Sequence, residues 1–379
     1  MHPWPRAVYL HVPFCLHHCG YCDFTLVARR DHLIPQWFDC LQRELEQHLA
    51  EAGTRLPVDT LFIGGGTPTH LSIPQLRQLG ALIDRYFELQ PGGEYSMEAN
   101  PDGLDIEKLQ VLREIGINRL SLGVQSFDDD VLRLLERTHR ADGAAEVVSQ
   151  AAEVLGSVSL DLMFGVPGQT QSSWGASLER AIGLPVVHIS TYGLTWEQGT
   201  PFYRRQRNGQ LQRAEEELER AQYLLAIERL TGAGFEHYEV SNFARSGHQC
   251  RHNLVYWHAE EYLAFGPGAA RYVRGVRSTN CRSVVKWLRS WAEGQACVED
   301  EECCDAEQRA REAIMLGLRL RRGFAVEEFE RRFGVQLSAL AGEALEQGLR
   351  RGQLELRDGW LRLTEAGLLL ADSVTADFL

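Results

Sequence analysis

Short, β-rich apolar runs alternate with amphipathic stretches from residue 7 to about residue 193. The runs Ala7–Val12, Asp59–Ile63, Glu94–Glu98, Arg119–Gly123, Ser157–Leu162 and Val186–Tyr192 predict strands, since short segments rich in β-branched side chains between turn signals suit a buried pleated surface. Between them, apolar positions recur every three to four residues. This spacing predicts helices near 34–52, 73–88, 105–115, 128–155 and 171–183, with a further helix near 212–233. Such alternation is the rhythm of βαβ units, whose right-handed crossovers build a parallel sheet in an α/β fold.

Beyond about residue 235 the pattern changes. Residues 236–275 are rich in aromatics and glycine, with an irregular segment His252-Asn253-Leu254-Val255-Tyr256-Trp257 and a turn at Gly266-Pro267-Gly268. Residues 281–304 read as helix running into loop and carry Cys281, Cys297, Cys303 and Cys304. No C-x2-C pair occurs there, so a second metal cluster is not expected. From 305 onward the pattern predicts helices Ala306–Arg319, Val326–Phe333 and Leu337–Arg350, strands Leu354–Arg357 and Trp360–Leu363, and a final helix. Three helices and a hairpin make a winged-helix-like α+β unit. The expected organisation is therefore 1–235 as a core domain, 236–304 as a connecting segment, and 305–379 as a terminal domain.

Composition narrows the class. A chain of 379 residues with 44% hydrophobic and 24% charged residues is an ordinary globular protein. A formal net charge of −13 argues against a phosphate-backbone binder. The third C-terminal helix carries Glu343 and Glu346 beside Arg350 and Arg351, and acidic residues prevail around it. Packing or a lid therefore fits this tail better than nucleic acid. The start, Met1-His2-Pro3-Trp4-Pro5, lacks an export signal, and no apolar run is long enough to span a bilayer. Nine cysteines in such a chain imply a reducing, cytoplasmic setting with thiols free for metal.

The sharpest chemical signal follows the first strand. Cys15, Cys19 and Cys22 stand as C-x3-C-x2-C on one short loop. Three thiolates can hold three irons of a cubic [4Fe–4S] cluster, leaving the fourth iron open to a small chelating ligand. A structural zinc site needs four ligands; His17 or His18 would have to supply the fourth from the same tight loop. A disulfide framework does not suit three cysteines without a secretory context. This loop resembles that of the radical S-adenosylmethionine (SAM) family, whose members bind SAM to the open iron. The resemblance implies an incomplete (β/α)6 barrel, with chemistry at the C-terminal ends of the strands.

Other motifs fall at those ends. Gly64-Gly65-Gly66-Thr67 follows the second strand, and consecutive glycines permit close backbone approach. Glu98 ends the third strand, Gln125 follows the fourth, and Arg137 could supply a fixed cation for a carboxylate. Asp161, alone in the apolar run Leu160–Val166, needs a partner or a ligand. Taken together, these segments are similar to the anaerobic coproporphyrinogen III oxidase family. That likeness implies SAM contacts at Tyr9, Gly65, Gly66, Thr67, Glu98, Gln125, Arg137 and Asp161.

Two departures stand out. The oxidases carry a fourth cysteine where this chain has Phe24, and a longer N-terminal extension. With the His252–Trp257 segment, the chain resembles the HemW branch, regarded as haem chaperones. That likeness implies haem as a further ligand, with His252 the leading iron-ligand candidate and His248, Cys250 and His258 its competitors. It also implies a haem-acceptor protein and an electron donor to the cluster as partners. A second copy of the chain and a peripheral membrane surface stay open as further contacts. The alternative is an oxygen-independent oxidase that decarboxylates porphyrinogen propionates.

Overall fold

The computed structural model describes residues 4–379. Six strands, β1 (Ala7–Val12), β2 (Leu56–Gly65), β3 (Phe87–Ala99), β4 (Arg119–Gln125), β5 (Val158–Phe164) and β6 (His188–Gly193), pair in parallel in chain order. An antiparallel hairpin, β7 (Glu236–Glu239) and β8 (Asn242–Ala244), extends the β6 edge, while β9 (Leu263–Phe265) pairs in parallel with β1. The sheet order is β9-β1-β2-β3-β4-β5-β6-β8-β7. The first expected domain boundary, at residue 235, thus falls inside one continuous sheet.

Successive strand residues face opposite sides, and here the two sides differ in chemistry. Val8, Leu10, Leu61, Ile63, Met97, Leu120, Leu122, Leu160 and Leu162 are buried against helices in one continuous core. Tyr9, Ser96, Glu98, Ser121, Asp161 and Ser190 instead line one shared cavity. Side chains from β1 to β6 can meet around a common space only if the sheet curls, as the expected partial barrel requires. Its interior is polar, so it is built to hold polar groups rather than to be filled with aliphatics.

Helices α1 (Ile34–Leu49), α2 (Ile73–Tyr86) and α3 (Ile106–Glu114) follow the expected pattern. The expected helix 128–155 splits into α4 (Asp129–Leu134) and α5 (Ala141–Leu155). Asp129 causes the restart: it accepts from the Ala141 N–H at 2.9 Å and from Arg140 at 2.6 Å, capping a second helix start. Between the halves, Glu136 takes a left-handed φ of 57°. Arg137 is thereby presented on a loop above the strand ends. Helix α6 (Gln171–Ile182) carries the buried Trp174 and Leu178, and α7 (Pro201–Arg207) and α8 (Glu216–Gly232) complete the core. Helix α7 was not expected, although Thr200 at its N-cap and Pro201 at its first position are a recognised start signal.

The His252–Trp257 segment is helical, not irregular, forming α9 (Arg251–Trp257). Its N-terminus is capped from a distance: the buried Glu94 carboxylate on β3 accepts the Arg251 and His252 N–H groups, each at 3.0 Å. Residues 268–304 form a second sheet of β10 (Ala270–Val273), β11 (Val276–Asn280) and β12 (Val298–Cys303), with α10 (Val284–Ala292) inserted. The expected helix-to-loop region therefore ends in a strand. Cys281 and Cys297, with Cα atoms 5.5 Å apart, are joined as a disulfide, which corrects the expectation that all thiols are free. The other seven cysteines are free.

The terminal domain contains α11 (Ala306–Gly317), α12 (Val326–Phe333) and α13 (Leu337–Arg350) against β13 (Phe324–Ala325), β14 (Leu354–Arg357) and β15 (Trp360–Leu363). Its core is separate, built on Ile314, Leu318, Phe329, Leu361 and Phe378. The final helix breaks into Glu365–Leu368 and Ala371–Ala376. Backbone bonds from Val240 N–H to Arg319 O (3.1 Å) and from Arg321 N–H to Tyr238 O (3.0 Å) tie this domain to β7. No helix among the described residues is long and apolar enough to cross a membrane.

Candidate functional site

Immediately after β1, Phe14–Cys15 pairs in parallel with Val27–Ala28 and closes the base of the cysteine loop. Cys15 and Cys19 are buried and Cys22 half-buried. The loop is clasped from two sides. On one, Gly66 N–H donates to Val12 O at 2.9 Å and Thr67 N–H to Phe14 O at 2.8 Å. On the other, Phe202 N–H donates to Gly20 O at 2.8 Å, and the Phe202 ring lies against Tyr21 at a centroid distance of 6.0 Å. The segment beyond the sixth strand thus borders the mouth, through Thr195 at the cleft and Phe202 against the cysteine loop.

A polar chain connects two of the cysteines. Cys15 Sγ lies 3.0 Å from Thr67 Oγ1; Asn100 Nδ2 donates to that hydroxyl at 3.0 Å. Arg137 donates to Asn100 Oδ1 at 2.6 Å and to Gly123 O at 2.7 Å, and its other nitrogen faces Cys19 Sγ at 3.8 Å. Asn100 was missed by the sequence reading, although it sits two residues after Glu98 in the same strand-end segment. Burial pushes the Cys22 thiol up to about 11 and the Cys19 thiol upward, the nearby Arg137 partly offsetting the latter. Thiolates at these positions therefore call for a bound cation.

The spacing discriminates between metals. Among the described residues, only Glu302, Cys304 and Glu312 bring three metal-binding atoms within 4.8 Å of one another. Cys15, Cys19 and Cys22 stand wider than that. A single tetrahedral zinc with Zn–S near ~2.3 Å would require sulfurs under about 4 Å apart. The wider trio suits a multi-iron cluster, and the donor set is all thiolate. The Glu302 group is already occupied by a side chain: Arg277 pairs with both Glu302 and Glu312, at 3.2 and 2.5 Å.

A cleft of about 370 Å³ opens beside the three thiols, within the range of small-molecule sites. Gly65, Gly66, Thr67, Glu98, Gln125, Arg137 and Asp161 all line it. Phe24 also lines it and is 58% exposed, an apolar lip where the resembling oxidases carry a fourth cysteine. Gln125 holds a left-handed φ of 67°, unusual for a non-glycine residue, and such strain concentrates at functional sites. Tyr9 does not line this cleft. It faces the chamber of about 250 Å³ beneath, with its hydroxyl 3.0 Å from His11 Nδ1. Glu98, Ser121, Asp161 and Tyr192 border both spaces.

Glu98 and Asp161 share this wall. Burial pushes the Glu98 carboxyl up to about 7; the Gly65 N–H, 2.9 Å away, pulls it down, while Asp161 pushes it further up. Burial also raises Asp161, against hydrogen bonds from Ser190 and Ser121. A carboxyl raised from 4.5 in the unfolded chain to about 7 in the folded one holds a proton that unfolding releases. Its stabilising contribution is present below about pH 4.5 and is lost as pH climbs through about 7. Free of SAM, the chain is expected to lose stability between about pH 4.5 and 7. Glu98→Gln keeps an acceptor for Gly65 and should flatten that slope by about 2–3 kcal/mol in urea unfolding. An unchanged slope would refute the assignment.

His252 is placed differently from the expectation of an open haem ligand. Its ring is 1% exposed, with Nδ1 2.9 Å from Thr60 Oγ1, Nε2 2.8 Å from Tyr256 OH, and Phe62 stacked at 5.2 Å. Burial pulls its pKa down to about 3, so the imidazole is neutral. Both nitrogens are engaged and the ring anchors α9 in the barrel floor, leaving no lone pair directed at solvent. Of its competitors, Cys250 is buried against Glu94 at 3.6 Å.

A curled α/β sheet with three cysteines after its first strand and a glycine-rich turn after its second defines a radical SAM protein. The Radical SAM superfamily model matches residues 9–181, and the HemN C-terminal domain model matches residues 304–370. The chain belongs to the HemW family. It is 36% identical to Heme chaperone HemW of Bacillus subtilis over 99% of both chains. It is 37% identical to Heme chaperone HemW of Mycobacterium tuberculosis, covering 99% of this chain and 95% of that one. The structure of coproporphyrinogen III oxidase (HemN) from Escherichia coli shares the fold, with a TM-score of 0.86 at 22% identity over 99% of this chain and 90% of that one.

Proposed function

We propose that the chain is a haem chaperone: it binds haem and passes it to an acceptor protein, on a scaffold carrying a [4Fe–4S] cluster and SAM. The observation that carries this reading is full-length likeness to haem chaperones together with Phe24 in place of the oxidases' fourth cysteine. Cys15, Cys19 and Cys22 would hold the cluster, which when bound supplies one-electron chemistry and an open iron site. The chain's own groups do the remainder. Arg137 offers a fixed cation next to the thiols, while the Gly65–Thr67 backbone forms one wall. Glu98 and Asp161 present acceptors for the polar groups of SAM, and Leu16 and Phe24, 53% and 58% exposed, supply an apolar rim.

The test uses protein reconstituted with iron and sulfide without oxygen. Expected results are about one haemin bound per chain, transfer of that haem to an apo-haemoprotein, and no decarboxylation of coproporphyrinogen III with reductant and SAM. Decarboxylation coupled to 5′-deoxyadenosine release would replace the chaperone reading with the oxidase reading. A haem-acceptor protein and an electron donor to the cluster are the partners this reading calls for.

A further inference from the structure

Electrons for a cluster on Cys15, Cys19 and Cys22 have to enter through the protein surface nearest those thiols. Part of that surface is the cysteine loop itself, where Leu16 and His18 are exposed and His17 is half-buried. The other part is α7, whose Phe202 is hydrogen-bonded to Gly20 and packed on Tyr21. Residues 201–213, which contain α7, carry Arg204, Arg205, Arg207 and Arg213 and no acidic residue. On the opposite strand of the loop, Arg29 and Arg30 follow Val27–Ala28, and the Arg29 N–H donates to Cys15 O at 3.2 Å. All six arginines are exposed.

The balance of charge here is opposite to that of the whole chain, which is −13. The acidic side chains in and against the loop already have cations. Glu136 pairs with Arg205 at 2.9 Å and faces His17 at 3.5 Å; Asp23 faces Arg282 at 3.8 Å; Asp31 takes His70 at 2.8 Å. By contrast, Arg29, Arg30, Arg204 and Arg207 make no ion pair among the described residues. Glu197 and Glu215–Glu217 bracket the α7 run in sequence and do not interrupt it. The helix dipole accounts for positive charge in the last turn of α7. It does not account for Arg213, Arg29 and Arg30, which lie outside any helix. Leu16 and Phe24, both exposed, give this positive rim an apolar centre, the anatomy of a protein contact.

We propose that this face, the outer side of the cysteine loop with α7, is the docking surface for an acidic one-electron carrier protein. Arg204 and Arg207 at one edge, and Arg29 and Arg30 at the other, attract the carrier's carboxylates. Leu16, next to Cys15, supplies apolar contact. One electron passes from the reduced carrier to the cluster, and no atom is transferred. The proposal rests on the reading that the three cysteines hold a cluster, and adds where, and by what kind of protein, that cluster is reduced. Attraction between unlike surface charges speeds encounter and weakens with salt, which suits a carrier that must leave after each electron.

The test uses flavodoxin, a small acidic flavin protein, with the reconstituted full-length chain in the absence of oxygen. Two quantities are read: flavodoxin affinity by calorimetry, on reconstituted and iron-free chain alike, and the rate at which reduced flavodoxin bleaches the cluster absorbance. Arg204→Glu/Arg207→Glu is expected to weaken binding and to slow bleaching about tenfold, with Arg204→Gln/Arg207→Gln in between. Both quantities should fall in the wild type as salt rises from about 0.05 to 0.5 M. Bleaching by photoreduced deazariboflavin, a small neutral reductant that needs no docking, should keep its wild-type rate in every variant. Arg322→Glu/Arg357→Glu reverses two exposed charges on the terminal domain and should leave both flavodoxin quantities unchanged. Wild-type affinity and rate in the Arg204→Glu/Arg207→Glu variant, whatever its melting temperature, would overturn the surface and leave the cluster in place. So would a wild-type chain that binds no flavodoxin at low salt, or binds it equally well at high salt. A reconstituted chain that deazariboflavin cannot bleach would overturn the cluster reading, and affinity for the iron-free chain would still decide the surface.

Discussion

Cys19→Ala is expected to reduce bound iron from about four atoms per chain to near zero after anaerobic reconstitution. Cys15 and Cys22 would remain, but two thiolates cannot hold a cube with one corner free for SAM. Cys19 also faces Arg137 at 3.8 Å, so its loss removes the anion that the cation is placed to balance. Without iron, the substitution is small: a buried thiol becomes a methyl, at a cost of about 1 kcal/mol. Iron and sulfide analysis, paired with urea unfolding of the iron-free forms, separates loss of the cluster from loss of the fold. Full iron content in the variant would remove the cluster assignment. Zinc recovered in stoichiometric amount would revive the mononuclear alternative.

The parts legible in the sequence were those whose causes are local. The strand β1 and the segments of α12, α13, β14 and β15 have the bounds their apolar spacing predicts, because each buries its own periodic face. The cysteine loop was legible for the same reason: its three ligands lie within eight residues of one another. The misread parts depend on distant partners. Helix α9 looked irregular because its cap is Glu94, 158 residues away, rather than a neighbouring side chain. The break between α4 and α5 arises from Asp129 reaching the second helix start. The Cys281–Cys297 bond follows from strand β11 and the loop after α10 coming together, which spacing alone does not specify.

His252 shows the same division in a functional residue. Its surroundings in sequence, aromatic and near other possible ligands, suited an iron ligand. Thr60 on β2 and Tyr256 one turn along α9 take both nitrogens instead. Asn100 is the converse case: only its place two residues after Glu98 marks it, yet it joins Thr67 to Arg137 and thereby one cysteine to another.

Gly66→Ala should be nearly as damaging as removal of a cysteine, for a reason that lies in the fold and not in the ligand. The triple glycine was read as room for a cofactor to approach the backbone. In the structure, what approaches is the cysteine loop itself. A Cβ on Gly66 would lie 2.7 Å from Phe14 O and 3.1 Å from Phe14 C, both backbone atoms that cannot rotate away. The Thr67 N–H bond to Phe14 O, 2.8 Å, would have to lengthen as the strands separate, carrying Cys15 out of register with the other thiols. Overpacking of this kind costs about 1–3 kcal/mol, and the lost hydrogen bond adds about 1 kcal/mol. The expected result is a destabilisation of about 3 kcal/mol and a fall of at least half in iron retained after reconstitution, the latter following from the displaced ligand. Gly103→Ala is the matched control: φ there is 69° but no atom lies within 4 Å of the added carbon. It should show only backbone strain, about 1 kcal/mol, with iron content intact. Equal behaviour of the two variants would mean that the glycine turn does not position the cluster loop.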